Sequence, residues 1–338
     1  MNDRKNVKTS EEKYVLGQIV NKVPGEKINV IIDTDPGVDD SAAIALSLYD
    51  SVMDIKLITT VAGNKDVNMV TRNCLHLLEL FKRTDIPVAK GSGRAMFRVS
   101  PDASYIHKTY GLGGYVPPQK TKTQPIKERA VEAMYRVIKE NAHDISIIAI
   151  GPHTNIAKLI TKHPDVIHMI SHIYTEGCNS YYETSKSERW NAHRSFNART
   201  DPEAANVVIN SGIPITYIPS EIGRDYAYFT EAEVNEIGRL NDVGKYIYAM
   251  YSDYWEPGYQ DRRVATNDTC AILALRFPDL FEMRPVKISF NTSDAPGLAT
   301  IRSCKKSNVM FAHGINREKM HAYYYNAIKK MNDFKLKI

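Results

Sequence analysis

Apolar runs of strand length alternate with amphipathic stretches from residue 28 to residue 220. INVIID (28–33) is continuous and β-branched, and DDSAAIALSLYD (39–50) then carries its apolar residues at helical spacing. DIKLITTVAG (54–63), IPVAK (86–90) and DISIIAIG (144–151) repeat the strand signal, with helical VNMVTRNCLHLLELFKR (67–83) and IKERAVEAMYRVIKENA (126–142) between them. HTNIAKLITKHP, MISHIYTEG, DPEAANVVINSG and IPITYIPS keep the rhythm to residue 220. Continuous apolar strands separated by helices predict an α/β fold, a single large domain whose mostly parallel central sheet is flanked by helices. In such sheets ligands bind beyond the carboxyl ends of the strands, and each distinctive polar cluster of this chain lies just after a predicted strand. From residue 221 the pattern turns helical, through EAEVNEIGRL and DVGKYIYAMYSDYW to a closing REKMHAYYYNAIKKMNDF. This predicts a helical, lid-like segment near 221–260 inside a domain spanning 25–338.

Composition adds limits. With 338 residues, 43% hydrophobic and 25% charged, the chain is an ordinary globular one, and no apolar run approaches the roughly 18 residues of a membrane span. The first 24 residues form a polar, acid-containing extension ending at Pro24-Gly25, unlike a signal or transit peptide, so a cytoplasmic protein is expected. Cys74, Cys178, Cys270 and Cys304 are far apart and match no zinc spacing, which reads as free thiols. The net charge of +5 is spread without a basic block, a solvated mixed surface rather than a nucleic-acid stripe.

Against that basic balance, VIIDTDPGVDDS (30–41) packs Asp33, Asp35, Asp39 and Asp40 into eight positions, with no Lys or Arg between Val30 and Ile55. Alternation along a strand ending near Asp33 turns Asp33 and Asp35 the same way. Pro36-Gly37 makes the turn, and Asp39-Asp40 opens a helix at the positive end of its dipole. Aspartates often cap a helix or shape a turn, but so many at one strand–helix junction call for an opposite charge. Oxygen-only ligands suit a hard cation, Ca²⁺ or Mg²⁺.

DTDPGVDD resembles the N-terminal signature of the nucleoside hydrolases of inosine–uridine-preferring type. The resemblance continues in order through TVAGN (60–64), IHKTYGLGG (106–114), AIGPHTNIA (149–157), SFNARTDPEAA (195–205) and NDTCAI (267–272). It implies hydrolysis of the N-glycosidic bond of a small-molecule ribonucleoside, and a dimeric or tetrameric assembly. By resemblance, Asp35, Asp40, Asp268 and the Ile150 carbonyl hold a Ca²⁺ that also engages the ribose 2′- and 3′-hydroxyls and one water. Asp35 is then the base for that water, Asp39, Asn64 and Asn197 bind ribose hydroxyls, and Asp33 orients the others from behind. His107 touches the sugar or the base.

Three departures qualify this. Relatives that cleave pyrimidine and purine nucleosides alike carry a histidine at the position of Asn267, and an amide cannot protonate a leaving base. Purine-preferring relatives sandwich the base between aromatic rings, so purine preference is expected, with Trp255 and neighbouring tyrosines as stacking candidates. Tyr248, Tyr251 and Trp255 also fit a core stripe at helical spacing. The family's Glu-Phe-Asn is Ser195-Phe196-Asn197 here, losing the acid that holds the 5′-hydroxyl, and an expected asparagine six residues earlier is Arg189. Glu176-Gly177 stands where the family has Gly-Gly. Arg189 and Arg194, with Lys186 and His193 nearby, suit an anionic 5′ extension, unless KSERWNAHR is a solvated loop.

Overall fold

In the computed structural model, which describes residues 26–99, 104–178 and 195–332, β1 (Ile28–Thr34) is buried from Val30 onward. The expected N-terminal extension lies outside the described residues. β1 pairs in parallel with β2 (Met53–Thr60) on one side and with β4 (Ser146–Ala149) on the other. β3 (Val88–Lys90) continues the sheet beyond β2, and β5 (His172–Glu176) and β6 (Ile215–Ile218) continue it beyond β4. The order therefore reverses between β1 and β4. At such a reversal the connections leave in opposite directions and open a crevice over the carboxyl ends of both strands.

Side chains of β1 alternate between two cores. Val30 and Ile32 join α1 (Val38–Tyr49), α2 (Val67–Leu80) and the C-terminal helices on one face. Ile31 joins α4 (Ala130–Glu140), α5 (Thr154–Lys162) and α7 (Pro202–Ile209) on the other, α3 (Ser104–His107) and α6 (Phe196–Thr200) being short turns at the crevice. This is the expected α/β domain with a mostly parallel sheet covered on both faces. α1 is buried from Val38 to Leu48, as befits an AAIAL-rich helix in a core. α10 (Asn267–Arg276) packs on it, which brings two helix starts to one place.

The helical expectation beyond residue 221 holds for α8 (Glu231–Ile237), α9 (Asp242–Tyr251) and α11 (Arg317–Lys330). It misses three strands of the main sheet. β11 (Val309–Ile315) lies parallel beside β6, and β9 (Phe281–Phe290) and β10 (Ala299–Ser303) follow antiparallel, completing nine strands. Pro285 argues against a strand at MRPVKISF, and β9's exposed Glu282, Lys287 and Ser289 dilute its apolar signal. A π-helical turn (Ile222–Tyr226) and a ribbon of β7 (Phe229–Thr230) with β8 (Arg263–Val264) frame the segment expected to act as a lid.

Candidate active site

The crevice is lined by groups from strand ends and helix starts. After Thr34 the chain turns through Asp35-Pro36-Gly37 into α1, with Gly37 as its N-cap. Asp40, in the first turn, accepts from Gly37 N (3.0 Å), Asp35 N (3.2 Å), Thr34 Oγ1 (2.6 Å) and Asn64 Nδ2 (3.0 Å). It caps the helix, as the bland alternative held, yet its carboxylate also lies with those of Asp39 and Asp268. One oxygen from each of these three lies within 4.8 Å of the others, and all three residues are buried.

Asp35 stands beside this group. Its Oδ2 accepts from Asn64 N (2.7 Å), whereas its Oδ1 is buried without a partner among the described residues. Two glycines make room for it. A Cβ on Gly63 would lie 2.0 Å from Asp35 Oδ2, and one on Gly151 would lie 2.9 Å from Oδ1. The glycines of TVAGN and AIGPH are thus required by a carboxylate lying against two backbones. Burial, then the charges of neighbouring carboxylates, pushes Asp35, Asp39 and Asp268 well above the usual range. Burial also raises Asp40, although its hydrogen bonds oppose the shift.

Asp33 lies behind them. Its Oδ1 accepts from Thr59 Oγ1 (2.5 Å) and Asn155 Nδ2 (2.8 Å), its Oδ2 has no partner, and burial raises its pKa to about 7. Its backbone carbonyl accepts from Ile150 N (2.9 Å) and Gly151 N (3.2 Å), pinning the end of β4 to β1. The Ile150 carbonyl accepts from Asn197 Nδ2 (2.8 Å), which also donates to Glu176 Oε2 (3.1 Å). Ser195, buried, is the N-cap residue of α6 and faces Gly177.

His107 closes another side. Its Nδ1 accepts from Val38 N (3.2 Å), which places its proton on Nε2, and burial lowers its pKa to about 3. Its ring lies 5.2 Å from that of Tyr254. Trp255 is half-buried beneath Arg262, 4.3 Å from its ring centre, so Tyr254 is the aromatic of this pair that meets His107. Tyr251 is a core residue bonded to Tyr324 (3.0 Å), and Tyr248 is exposed on α9. Asn267 packs on the π-helical turn, where a Cβ on Gly223 would lie 2.4 Å from its Oδ1, an atom left buried without a partner. Lys186, Arg189, His193 and Arg194 lie outside the described residues.

Sequence reasoning passed over Asn155, which supports Asp33, and treated Glu176 only as a departure. Glu176 is buried at the end of β5, accepting from Ser220 Oγ (2.5 Å) as well as Asn197, and burial raises its pKa to about 7. The available signal was positional, an acid directly after a strand at the same end of the sheet as the others. A cleft of about 600 Å³, lined by Gly63, Lys65, Asp66 and residues 93–99, opens toward solvent, and its one link to the site carboxylates among the described residues is Gly63, which lies against Asp35.

A family model of the inosine-uridine preferring nucleoside hydrolases matches residues 30–322. A non-specific ribonucleoside hydrolase RihC of Klebsiella pneumoniae is 34% identical over 266 residues, covering 79% of this chain and 84% of that protein. The RihC of Salmonella paratyphi B is also 34% identical, over 267 residues and 78% of this chain. Among solved structures, the plant nucleoside hydrolase PpNRh1 superposes with a TM-score of 0.80 at 26% identity, covering 89% of this chain and 98% of its own. A purine-preferring ribonucleoside hydrolase from Gardnerella vaginalis shares the fold with the same TM-score at 23% identity. Sequence motifs, sheet order and these matches agree: the chain belongs to the inosine-uridine preferring nucleoside hydrolase family, hydrolases of the N-glycosidic bond.

Proposed function

We propose that the chain hydrolyses the N-glycosidic bond of ribonucleosides with Ca²⁺, preferring purines, and that Asp35 is the base for the attacking water. The observation that carries this is Asp35 Oδ1, buried and unpartnered beside the carboxylates of Asp39, Asp40 and Asp268. A buried acceptor without a donor is costly, and so are adjacent carboxylates without a cation. The donor set is all oxygen, which fits a hard divalent cation held by Asp35, Asp40, Asp268 and the Ile150 carbonyl, with Asp39 at hand. When bound, Ca²⁺ supplies positive charge that offsets these carboxylates and acidifies water.

The chain's own groups do the rest. Asn64 and two glycine backbones hold the Asp35 carboxylate in one orientation, so it accepts a proton without first reorganising. Asp39, Asn64 and Asn197 offer polar atoms to ribose hydroxyls, and fixing the sugar aligns C1′ for attack through an oxocarbenium-like state. At the leaving-group end Asn267 carries no titratable proton, and His107 is neutral over the working pH range. Bases that depart without strong local protonation are favoured, which is the ground for purine preference.

Around Asn197, neutral Ser195 leaves room for a 5′-modified ribose. Residues 221–260 are proposed as the lid of one domain spanning 25–338, in a cytoplasmic homodimer or homotetramer. Among the described residues no helix is long and apolar enough to cross a membrane. The test is sugar release from purine and pyrimidine nucleosides, and from inosine against its 5′-monophosphate, with Ca²⁺ or with chelator. Asp35→Asn is expected to lower turnover by about 10²–10⁴-fold with the fold kept. Undiminished turnover in that variant, or activity indifferent to chelation, refutes the mechanism.

A further inference from the structure

Glu176 is a buried acid whose two oxygens are both engaged by neutral donors. Ser220 Oγ donates to Oε1 (2.5 Å) and Asn197 Nδ2 to Oε2 (3.1 Å). The other Nδ2 hydrogen of Asn197 goes to the Ile150 carbonyl (2.8 Å), so both amide hydrogens are spent on fixed acceptors. Rotating the amide by half a turn would set Oδ1 2.8 Å from the Ile150 carbonyl, which has no proton to give, and against Glu176, an acceptor when ionised. Only one orientation is compatible with these neighbours. In it Asn197 Oδ1 has no partner among the described residues and stays available as an acceptor.

The neighbouring glycine makes this approach possible. Gly177 has φ +128°, and a Cβ there would lie 3.1 Å from Asn197 Cβ and 3.3 Å from Ser195 Oγ. The pair Glu176-Gly177 therefore acts as a unit. The glycine lets the end of β5 lie against the start of α6, and the glutamate reaches the amide. Two departures that look unrelated in the sequence, an acid gained at 176 and one absent at 195, meet across this contact.

Resting on the ribonucleoside hydrolase reading, we propose that Glu176 is a positioning residue that locks the Asn197 amide so that Oδ1 accepts from a ribose hydroxyl. A hydroxyl that gives its proton to Oδ1 keeps its lone pairs for its other partners, whereas a flipped amide would compete for those lone pairs. Glu176 thus selects the hydroxylated sugar without touching it.

The test combines a readout that needs no turnover with one that does. In protein with ¹⁵N-labelled asparagine, the Asn197 side-chain amide is assigned by its loss in Asn197→Ala, and its hydrogen exchange is compared between wild type, Glu176→Gln and Glu176→Met. Exchange is expected to accelerate at least about tenfold in the Met variant and to stay slow in the Gln variant, whose Oε1 still accepts. For inosine, Glu176→Met is expected to raise KM about tenfold with a smaller change in kcat, as for a lost binding contact. The Gln variant should recover most of that loss, and Glu176→Met should add nothing to Asn197→Ala, because one contact cannot be lost twice. Among 2′-, 3′- and 5′-deoxyinosine, the analogue penalised through Asn197 should lose its penalty in the Met variant. Should the Met variant not fold, Glu176→Ser, too short to reach Asn197, takes its place. Unaltered amide exchange in the Met or Ser variant, additive effects with Asn197→Ala, or a Gln variant as impaired as the Met one would each overturn the assignment. If wild type releases no sugar from any nucleoside, the functional reading falls, and the exchange data still decide whether Glu176 locks the amide.

Discussion

Removing divalent cations should make this fold less stable as the pH rises, and Ca²⁺ should reverse the effect most at high pH. In the ion-free chain, burial holds Asp33 at about 7 against 3.8 in the unfolded chain, and Glu176 at about 7 against 4.5. A group whose folded pKa is raised contributes its stability fully below the unfolded value, and loses it as the pH climbs through the folded value. At about 1.36 kcal/mol per pH unit, the roughly 3-unit window of Asp33 corresponds to about 4 kcal/mol and the shorter window of Glu176 to about 3 kcal/mol. Asp35, Asp39 and Asp268 are shifted the same way by burial and mutual repulsion. Against a total stability of about 5–15 kcal/mol, these losses are large.

On the proposed reading, calcium would bind the ionised carboxylates and so compete with protons for them. At about 100 times its Kd it contributes roughly 2.7 kcal/mol. Spread over the unfolding entropy of 338 residues, that is a rise in melting temperature of about 4 °C. The assay is thermal unfolding between pH 5 and pH 8.5, in chelator and in excess Ca²⁺. In chelator the melting temperature should fall from pH 5 to pH 8, and the Ca²⁺-induced rise should be several degrees at pH 8 and small at pH 5. A melting temperature that holds or climbs with pH in chelator, or equal Ca²⁺ shifts at both ends, refutes the reasoning.

Other outcomes follow from single contacts. Inosine, or a riboside with an activated nitrophenyl leaving group, should outrun uridine, since Asn267 cannot protonate the departing base; steady-state rates with uridine well ahead would contradict this. Gly63→Ala puts a Cβ where Asp35 Oδ2 lies, 2.0 Å away, and should lower kcat by about 10²-fold with a cooperative melting transition retained. His107, held neutral with a pKa lowered to about 3, gains a proton only below the working range, so His107→Asn should leave the shape of the kcat/KM profile between pH 5 and pH 8 unchanged. A lost inflection in that window would show that His107 titrates there.

The sheet up to residue 220 was legible because its strands are buried on both faces and read as unbroken apolar runs. β9–β11 were not, because they extend the sheet toward its edge, where exposed positions and Pro285 dilute the signal. In the site, Asp33, Asp35, Asp39 and Asp40 were legible because one strand–turn–helix carries them all. Asp268 is 228 positions beyond Asp40, and only the packing of α10 on α1 brings them together, so the resemblance alone could point to it. The aromatic reading left Trp255 and its neighbouring tyrosines open, and it is the fold that sets Tyr254 against His107, because helical spacing cannot order the residues of a loop after α9. The link between Glu176 and Asn197 needs the register of β5 against β6 and the φ of Gly177, and neither is written in composition or spacing.

The two halves of the site are built with different rigidity. The carboxylates sit at the ends of β1 and β5 and on the starts of α1 and α10, all buried. Moving any one of them disturbs the sheet, so this half has little freedom to vary. The proposed leaving-group side is carried by the turn at Ile222–Tyr226, α9 and the loop to β8. Its helix α9 is anchored in the core by Tyr246, Ile247, Met250 and Tyr251, whereas the turn and the loop are joined by a two-residue ribbon and a set of side-chain clasps. Arg224 pairs with Asp225 (3.2 Å) and donates to Tyr259 (3.0 Å), and Arg263 lies over the rings of Tyr228 and Tyr259 at 4.0 and 4.2 Å. Side-chain clasps of this kind, outside the apolar core, can be rewritten with less loss than the core residues. On the proposed reading, the choice of base would belong to residues 221–262, and the reading of the sugar to the strand ends and helix starts that hold the carboxylates and to Asn197 on α6.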